Sequence, residues 1–169
     1  SLMCSGVFNW DFDYDNRKEF IQGIKDCMIA YNSILPEFER IPIELVLVQA
    51  LHESGSDGGS RFAREGKNFF GIKAIHGEDH IVSLANASVK VRRFTRGCDS
   101  VIAYTDLLNE SYHYEDFREE RLHQYFVDEI NIEKLIETLS VYAEDKKYIS
   151  KLKDMAYTLR KEGIINENN

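Results

Sequence analysis

A chain of 169 residues is long enough to bury a sizeable core and short enough to read as one domain. With 43% hydrophobic and 30% charged residues it has the make-up of a globular protein, and no stretch approaches the roughly 18 apolar residues of a spanning helix. The net charge of −8 argues against nucleic acid as a partner, because such binding rests on a basic surface.

In chain order, residues 1–15 mix aromatic and acidic side chains (Trp10-Asp11-Phe12-Asp13-Tyr14-Asp15) without a clear period. They read as an N-terminal arm that lays its aromatics onto the domain. From Asn16 to Leu35, Phe20, Ile21, Ile24, Met28, Ile29 and Ile34 fall close to helical spacing, and Pro36 stops the run. Pro42 suits the first turn of a second helix, which runs to about Ser54. Its apolar residues Ile43, Leu45, Val46, Leu47, Val48, Ala50 and Leu51 go nearly all the way round, so this helix belongs in the middle of the domain. Gly55 suits its C-terminal cap, and Ser56-Asp57-Gly58-Gly59-Ser60 is a loop by composition. Ile81-Val82 and Val89-Lys90-Val91, either side of a polar turn near Asn86, predict a β-hairpin between Ile81 and Phe94. Helical patterning then returns, with helices expected over 99–110, 114–126, 131–141 and 146–162. Gly163 caps the last of these, and 163–169 is expected to be a frayed tail. The whole reads as a single α+β domain over 1–169, mostly helical with one small hairpin lobe.

Several clusters carry little chemistry. Lys90, Arg92, Arg93 and Arg96 read first as a solvated face of a strand, and second as a site for phosphate or an anionic polymer. Cys4, Cys27 and Cys98 lack metal-ligand spacing; they allow one disulfide but give no disulfide framework. His76 and His80 lie in an expected loop around Asp79, which favours solvated side chains over metal ligands. No nucleophile triad spacing and no phosphate loop after a strand is present. No export signal is visible at the N-terminus.

The stretch Val48-Gln49-Ala50-Leu51-His52-Glu53-Ser54-Gly55 is different. It ends an apolar helix on one carboxylate, Glu53, and a glycine-rich loop follows. Burial and the negative C-terminal end of the helix dipole both favour a neutral carboxyl. A carboxyl protonated near neutral pH is what a general acid for glycosidic cleavage requires. Gln49, four residues earlier, shares its face, whereas His52 is turned about 100° away. The helix pattern alone still makes a carboxylate in water, or paired with Arg61 or Arg64, the commoner outcome.

Gln49-Ala50-Leu51-His52-Glu53-Ser54-Gly55, Ser60-Arg61-Phe62-Ala63-Arg64 and Asn68-Phe69-Phe70-Gly71 resemble the glucosaminidase domains of glycoside hydrolase family 73, most closely the Bax-type branch. Val91-Arg92-Arg93-Phe94, Asp99-Ser100-Val101 with Tyr104, Leu108-Asn109 with Tyr114-Glu115-Asp116-Phe117-Arg118, and Leu139 with Tyr142-Ala143 and Tyr148 continue the likeness in order over residues 40–160. The resemblance implies a lysozyme-like α+β fold and hydrolysis of the β-1,4 bond after N-acetylglucosamine in peptidoglycan. It makes Glu53 the catalytic acid.

The same resemblance exposes departures. The usual Trp-Gly after Glu-Ser-Gly is Ser56-Asp57-Gly58, so an aromatic wall of the cleft is missing. Asp57 is a new carboxylate that could meet substrate, although capping the loop is its commoner role. A second catalytic carboxylate is expected on the hairpin lobe. Its strand Ser88 to Phe94 has no acid, which leaves Glu78, then Asp79, as candidates, or a water positioned by Tyr114, or the substrate's own acetamido group. By the resemblance Tyr114 contacts the acetamido sugar or orients water. Asn68 and Phe70 line the site, first as supports of its loop and floor, and Gly71 lets the chain turn into the lobe. The expectation is a peptidoglycan endo-β-N-acetylglucosaminidase acting in the cell envelope, periplasmic or secreted, on glycan strands and without metal or organic cofactor. A glycan-binding module without turnover and a lytic transglycosylase are the rival readings.

Overall fold

The computed structural model describes residues 10–166; Cys4 and the first nine residues of the arm lie outside it. Helix α1 (Arg17–Asn32) is capped by the Asn16 side chain, which accepts from the Glu19 N–H at 2.9 Å. A 3-10 turn (Glu37–Glu39) follows Pro36 and leads to α2 (Ile43–Glu53). Every residue of α2 from Leu45 to Leu51 is buried, and α1, α6 (Ile132–Ile136) and α7 (Tyr148–Lys161) pack around it. The apolar circumference therefore does put this helix at the centre.

The short α3 (Arg61–Gly66), capped by Ser60, was not expected from the sequence. The hairpin is: β1 (His80–Val82) pairs antiparallel with β2 (Lys90–Arg92), Ile81 opposite Val91. Asn86 makes its turn, accepting the Ser88 N–H on its side chain and the Val89 N–H on its carbonyl. The segment Ile72–Ala74 runs along the other side of β2, with Lys73 bridged to Val91 and the Ala74 N–H bonded to the Lys90 carbonyl. Helices α4 (Gly97–Glu110) and α5 (Glu115–Val127) follow, joined by a 3-10 turn at Tyr112–Tyr114.

Two expectations need correcting. The helix expected over 131–141 stops at Ile136, because the Thr138 hydroxyl takes the Leu135 carbonyl at 2.6 Å and the turn tightens to a 3-10 pattern through Ser140–Tyr142. The tail does not fray at Gly163. Its N–H bonds the Arg160 carbonyl and the Ile164 N–H reaches the Leu159 carbonyl, a Schellman closure that leaves Ile165 buried in the core.

Cys27 of α1 and Cys98 of α4, both fully buried, are joined by a disulfide across 71 residues of chain. Phe12 and Tyr14, in the described part of the arm, pack on the domain. Phe12 and Tyr14 each lie 5.8 Å from the Phe69 ring, and the Tyr14 hydroxyl bonds the Gly58 carbonyl at 2.6 Å. No described helix is long and apolar enough to cross a membrane.

Candidate active site

Glu53 ends α2, where the chain leaves the helix through Ser54 and then Gly55 at φ 85°. The Ser56 N–H closes back on the Leu51 carbonyl at 2.8 Å, the Ser54 hydroxyl accepts the Gly58 N–H at 3.1 Å, and Asp57 accepts the Gly59 N–H at 2.7 Å. Asp57 is thus an exposed loop cap. These bonds fix the glycine-rich loop at the end of α2.

The Glu53 carboxyl is half-buried, and burial pushes its pKa up; a hydrogen bond from Tyr148 acts in the opposite direction. Neither Arg61 nor Arg64 pairs with it. Arg61 bonds the Val82 carbonyl and Glu65, and Arg64 bonds the Tyr14 carbonyl while lying over the Tyr14 ring. On its Oε2 side stands Gly71, at φ 65°, where an added Cβ would come within 3.1 Å of that oxygen. A residue with a side chain would press on the carboxyl.

Behind Glu53 runs a directed chain of hydrogen bonds that spans the core. The Tyr104 hydroxyl donates to Gln49 Oε1, Gln49 Nε2 donates to the Tyr148 hydroxyl at 3.0 Å, and Tyr148 donates to Glu53 Oε1 at 2.9 Å. Gln49 and Tyr104 are fully buried, so their polar atoms must be matched inside the protein, and here they are. Burial, and then the Glu53 charge, hold the Tyr148 phenol far above its usual pKa. Burial does the same for Tyr104 and Tyr142. The three phenols stay neutral near pH 7, and of them Tyr148 orients the carboxyl, as a hydrogen-bond donor.

Tyr142 stacks on Tyr148, centroids 5.9 Å apart and planes 5° apart, and its hydroxyl donates to the Phe70 carbonyl at 2.6 Å. Tyr114 lies 6.4 Å from Tyr142, nearly buried, its phenol pushed up to about 12 by burial. Asn68, 2% exposed, ties the loop to the lobe. Its Nδ2 donates to the Ile72 and Arg92 carbonyls at 2.8 and 2.9 Å, and its Oδ1 accepts the Phe70 and Ile72 N–H groups. Phe70 is fully buried and stacks on Tyr104 at 4.3 Å. Neither side chain has surface to offer a sugar. Their place is the framework under the site, and the substrate-contact half of that expectation gives way to the supporting half.

On the lobe, Glu78 Oε2 meets Arg92 Nε at 2.7 Å and Glu78 Oε1 accepts the Ile75 N–H at 2.9 Å. Asp79 pairs more loosely with Arg93, at 3.6 Å, and its side chain is 75% exposed. His76 and His80 join no metal-holding cluster among the described residues.

Gln49, Tyr104 and Tyr148 are not among the site residues expected from the sequence, although all three stand inside the motifs that carry the family resemblance. Gln49 facing Glu53 across one helical turn was the available signal. The tyrosines give none alone, since the Tyr148–Glu53 contact bridges 95 residues of chain.

The profile of the Glucosaminidase family, described as mannosyl-glycoprotein endo-beta-N-acetylglucosaminidase, matches residues 31–161. Among solved structures, the glycoside hydrolase domain of FlgJ from Salmonella typhimurium is similar, with 22% identity and a TM-score of 0.63 over 89% of this chain and 91% of that one. The catalytic domain of the autolysin Auto from Listeria monocytogenes is 15% identical with a TM-score of 0.61, over 97% and 96% of the two chains. No curated protein matches the sequence.

Proposed function

This chain belongs to the Glucosaminidase family of glycoside hydrolases, and from that premise we propose that Glu53 is the acid that protonates the departing glycosidic oxygen. The observation that carries this reading is the Glu53 carboxyl itself, half-buried at the end of α2 and held by Tyr148 on one oxygen only. Because Oε1 accepts from Tyr148, the acidic proton belongs on Oε2, the oxygen beside Gly71. Desolvation raises the pKa of the carboxyl, so the proton is held to higher pH than on an ordinary carboxyl.

The chain is a lysozyme-like endo-β-N-acetylglucosaminidase, and peptidoglycan strands are its proposed substrate, which places its work in the cell envelope. The glycosidic bond breaks through an oxocarbenium-like state as Oε2 gives up its proton. On the lobe side Glu78 is the proposed second carboxylate. It is fixed from both oxygens by Arg92 and the Ile75 N–H, whereas Asp79 stands out in solvent. Tyr114, beside Tyr142, is the proposed contact for the acetamido sugar or the attacking water. The Bax-type branch rests on the quoted motifs alone, since the profile describes the family as a whole.

Purified peptidoglycan digested with the wild type, with Glu53→Gln and with Glu78→Gln, followed by mass spectrometry of the sugar ends, tests this. Reducing N-acetylglucosamine ends from the wild type, with loss of about 10²–10⁴ in rate in Glu53→Gln, are expected. Anhydromuramyl ends would assign a transglycosylase instead. Retention on cell wall without any new ends would make the chain a binding module.

A further inference from the structure

The charge of this molecule is divided very unevenly. Residues 61–96, which hold α3 and the hairpin lobe, carry eight Lys and Arg against three Asp and Glu, a net charge of +5 in a chain of −8; the rest stands at −13. The three acids of the lobe are spent on its own arginines, in the pairs Arg61–Glu65, Arg92–Glu78 and Arg93–Asp79. Lys67 and Arg96 reach acids outside the lobe, Asp11 and Asp99, and Arg64 lies over the Tyr14 ring. Lys73 and Lys90 remain, both exposed and without an ion pair among the described residues.

These two lysines lie on adjacent segments of the lobe, Lys73 on the face of its partner Val91 and Lys90 on the opposite face. Lys73 is bridged to Val91, the residue after Lys90, and Ala74 bonds the Lys90 carbonyl. Lys73 stands two residues after Gly71, which is packed against Glu53 Oε2. The unpaired lysines of the lobe therefore lie close to the acid, on the part of the chain with net positive charge, while the rest of the chain is net negative.

We propose that the hairpin lobe, through Lys73 on one of its faces and Lys90 on the other, is a docking element for the carboxylates of peptide-bearing glycan strands, and that it selects these over neutral sugar polymers. The inference rests on the proposed substrate and narrows it. A basic lobe on a net-acidic body raises the local concentration of an anionic strand near the cleft. The basic cluster read from sequence as a solvated face takes on its second reading here, with its centre moved from the paired Arg92, Arg93 and Arg96 to Lys73 and Lys90.

The test compares kcat/KM on soluble peptide-bearing glycan strands and on a neutral N-acetylglucosamine oligomer. Lys73→Glu/Lys90→Glu is set beside a control of equal charge change on the body, Lys18→Glu/Lys161→Glu. All four lysines are exposed, so folding is kept. In low salt the lobe pair is expected to lose roughly tenfold on peptide-bearing strands, and the loss shrinks in 0.5 M NaCl. The neutral oligomer is unaffected, and the control pair falls by much less. Equal losses from the two pairs, or equal losses on the two substrates, would overturn the proposal.

Binding is measured separately by co-sedimentation with insoluble peptidoglycan, native and with its carboxylates methyl-esterified. Should the wild type cleave neither substrate, the reading as a hydrolase fails while docking by the lobe is still judged. Retention on native but not esterified material, lost in the lobe pair, supports it. Retention that ignores esterification or the lobe substitutions overturns it.

Discussion

Burial and a hydrogen bond pull the Glu53 carboxyl in opposite directions, with burial the larger. Its folded-state pKa therefore lies above the ordinary 4.5, and the folded protein holds the proton more tightly than the unfolded chain does. The stability this contributes is fully present below pH 4.5 and is lost as pH rises through the folded-state value. Glu53→Gln removes the charge at every pH. Its melting midpoint is expected at or above that of the wild type at pH 7, with the gap closing toward pH 4.5. A variant that melts lower at pH 7 than the wild type, with no such closing, would mean a carboxylate stabilised in its charged form. Tyr148→Phe separates the two influences. Losing the donor lets the pKa of Glu53 rise further, so the alkaline limb of the pH–rate profile moves up. The freed carboxyl loses its orientation, and kcat falls on the order of 10²-fold. The same change strands the Gln49 amide in the core, at about 1–3 kcal/mol of stability. A drop in kcat with an unmoved alkaline limb would deny that Tyr148 acts on Glu53.

Between α2 and the lobe, one residue of the connecting segment does the spacing. Gly71 and Gly77 both have φ in the left-handed region, so alanine costs roughly 1–2 kcal/mol in backbone strain at either. Only Gly71 has the Glu53 carboxyl beside it; around Gly77 nothing lies within 4 Å. Gly71→Ala is therefore expected to lose activity well beyond its loss of stability, while Gly77→Ala loses stability alone, as paired chemical denaturation and rate measurements would show. Similar activities in the two would remove Gly71 from the site. At this scale much could be read from the sequence. The central helix was legible because Ile43 to Leu51 is apolar all round, the hairpin because β-branched runs flank Asn86, and the acid because Glu53 ends that helix. Helix α3 was not, because six residues with a glycine at the end carry too little period to register. The end of α6 was missed because the competing Thr138 hydroxyl is invisible in an apolar pattern. The Tyr104–Gln49–Tyr148 chain was missed for a different reason. It joins three helices, and nothing in local spacing says which buried hydroxyl will meet which amide.

Across the whole molecule, the Cys27–Cys98 bond ties α1 to α4 beneath the arm and the lobe. By chain entropy, a link across 71 residues is worth about 4 kcal/mol against the unfolded chain. Cys27→Ala/Cys98→Ala is expected to melt on the order of 10 °C lower than the oxidised protein. Reductant should bring the wild type to the same midpoint and leave the variant where it is; a wild type indifferent to reductant would show that the bond carries no stability. Both sulfurs are fully buried, so reduction must wait for the two helices to part. The bond also makes a covalent circle of residues 27–98, and Glu53, the glycine-rich loop and the entire lobe lie on its circumference. The exposed tip of that circle, around Leu84, is where a protease finds chain to cut. A cut there opens the circle without dividing the molecule: the halves stay joined through sulfur, migrate as one species until reduced, and keep the acid and its tyrosine in a single particle.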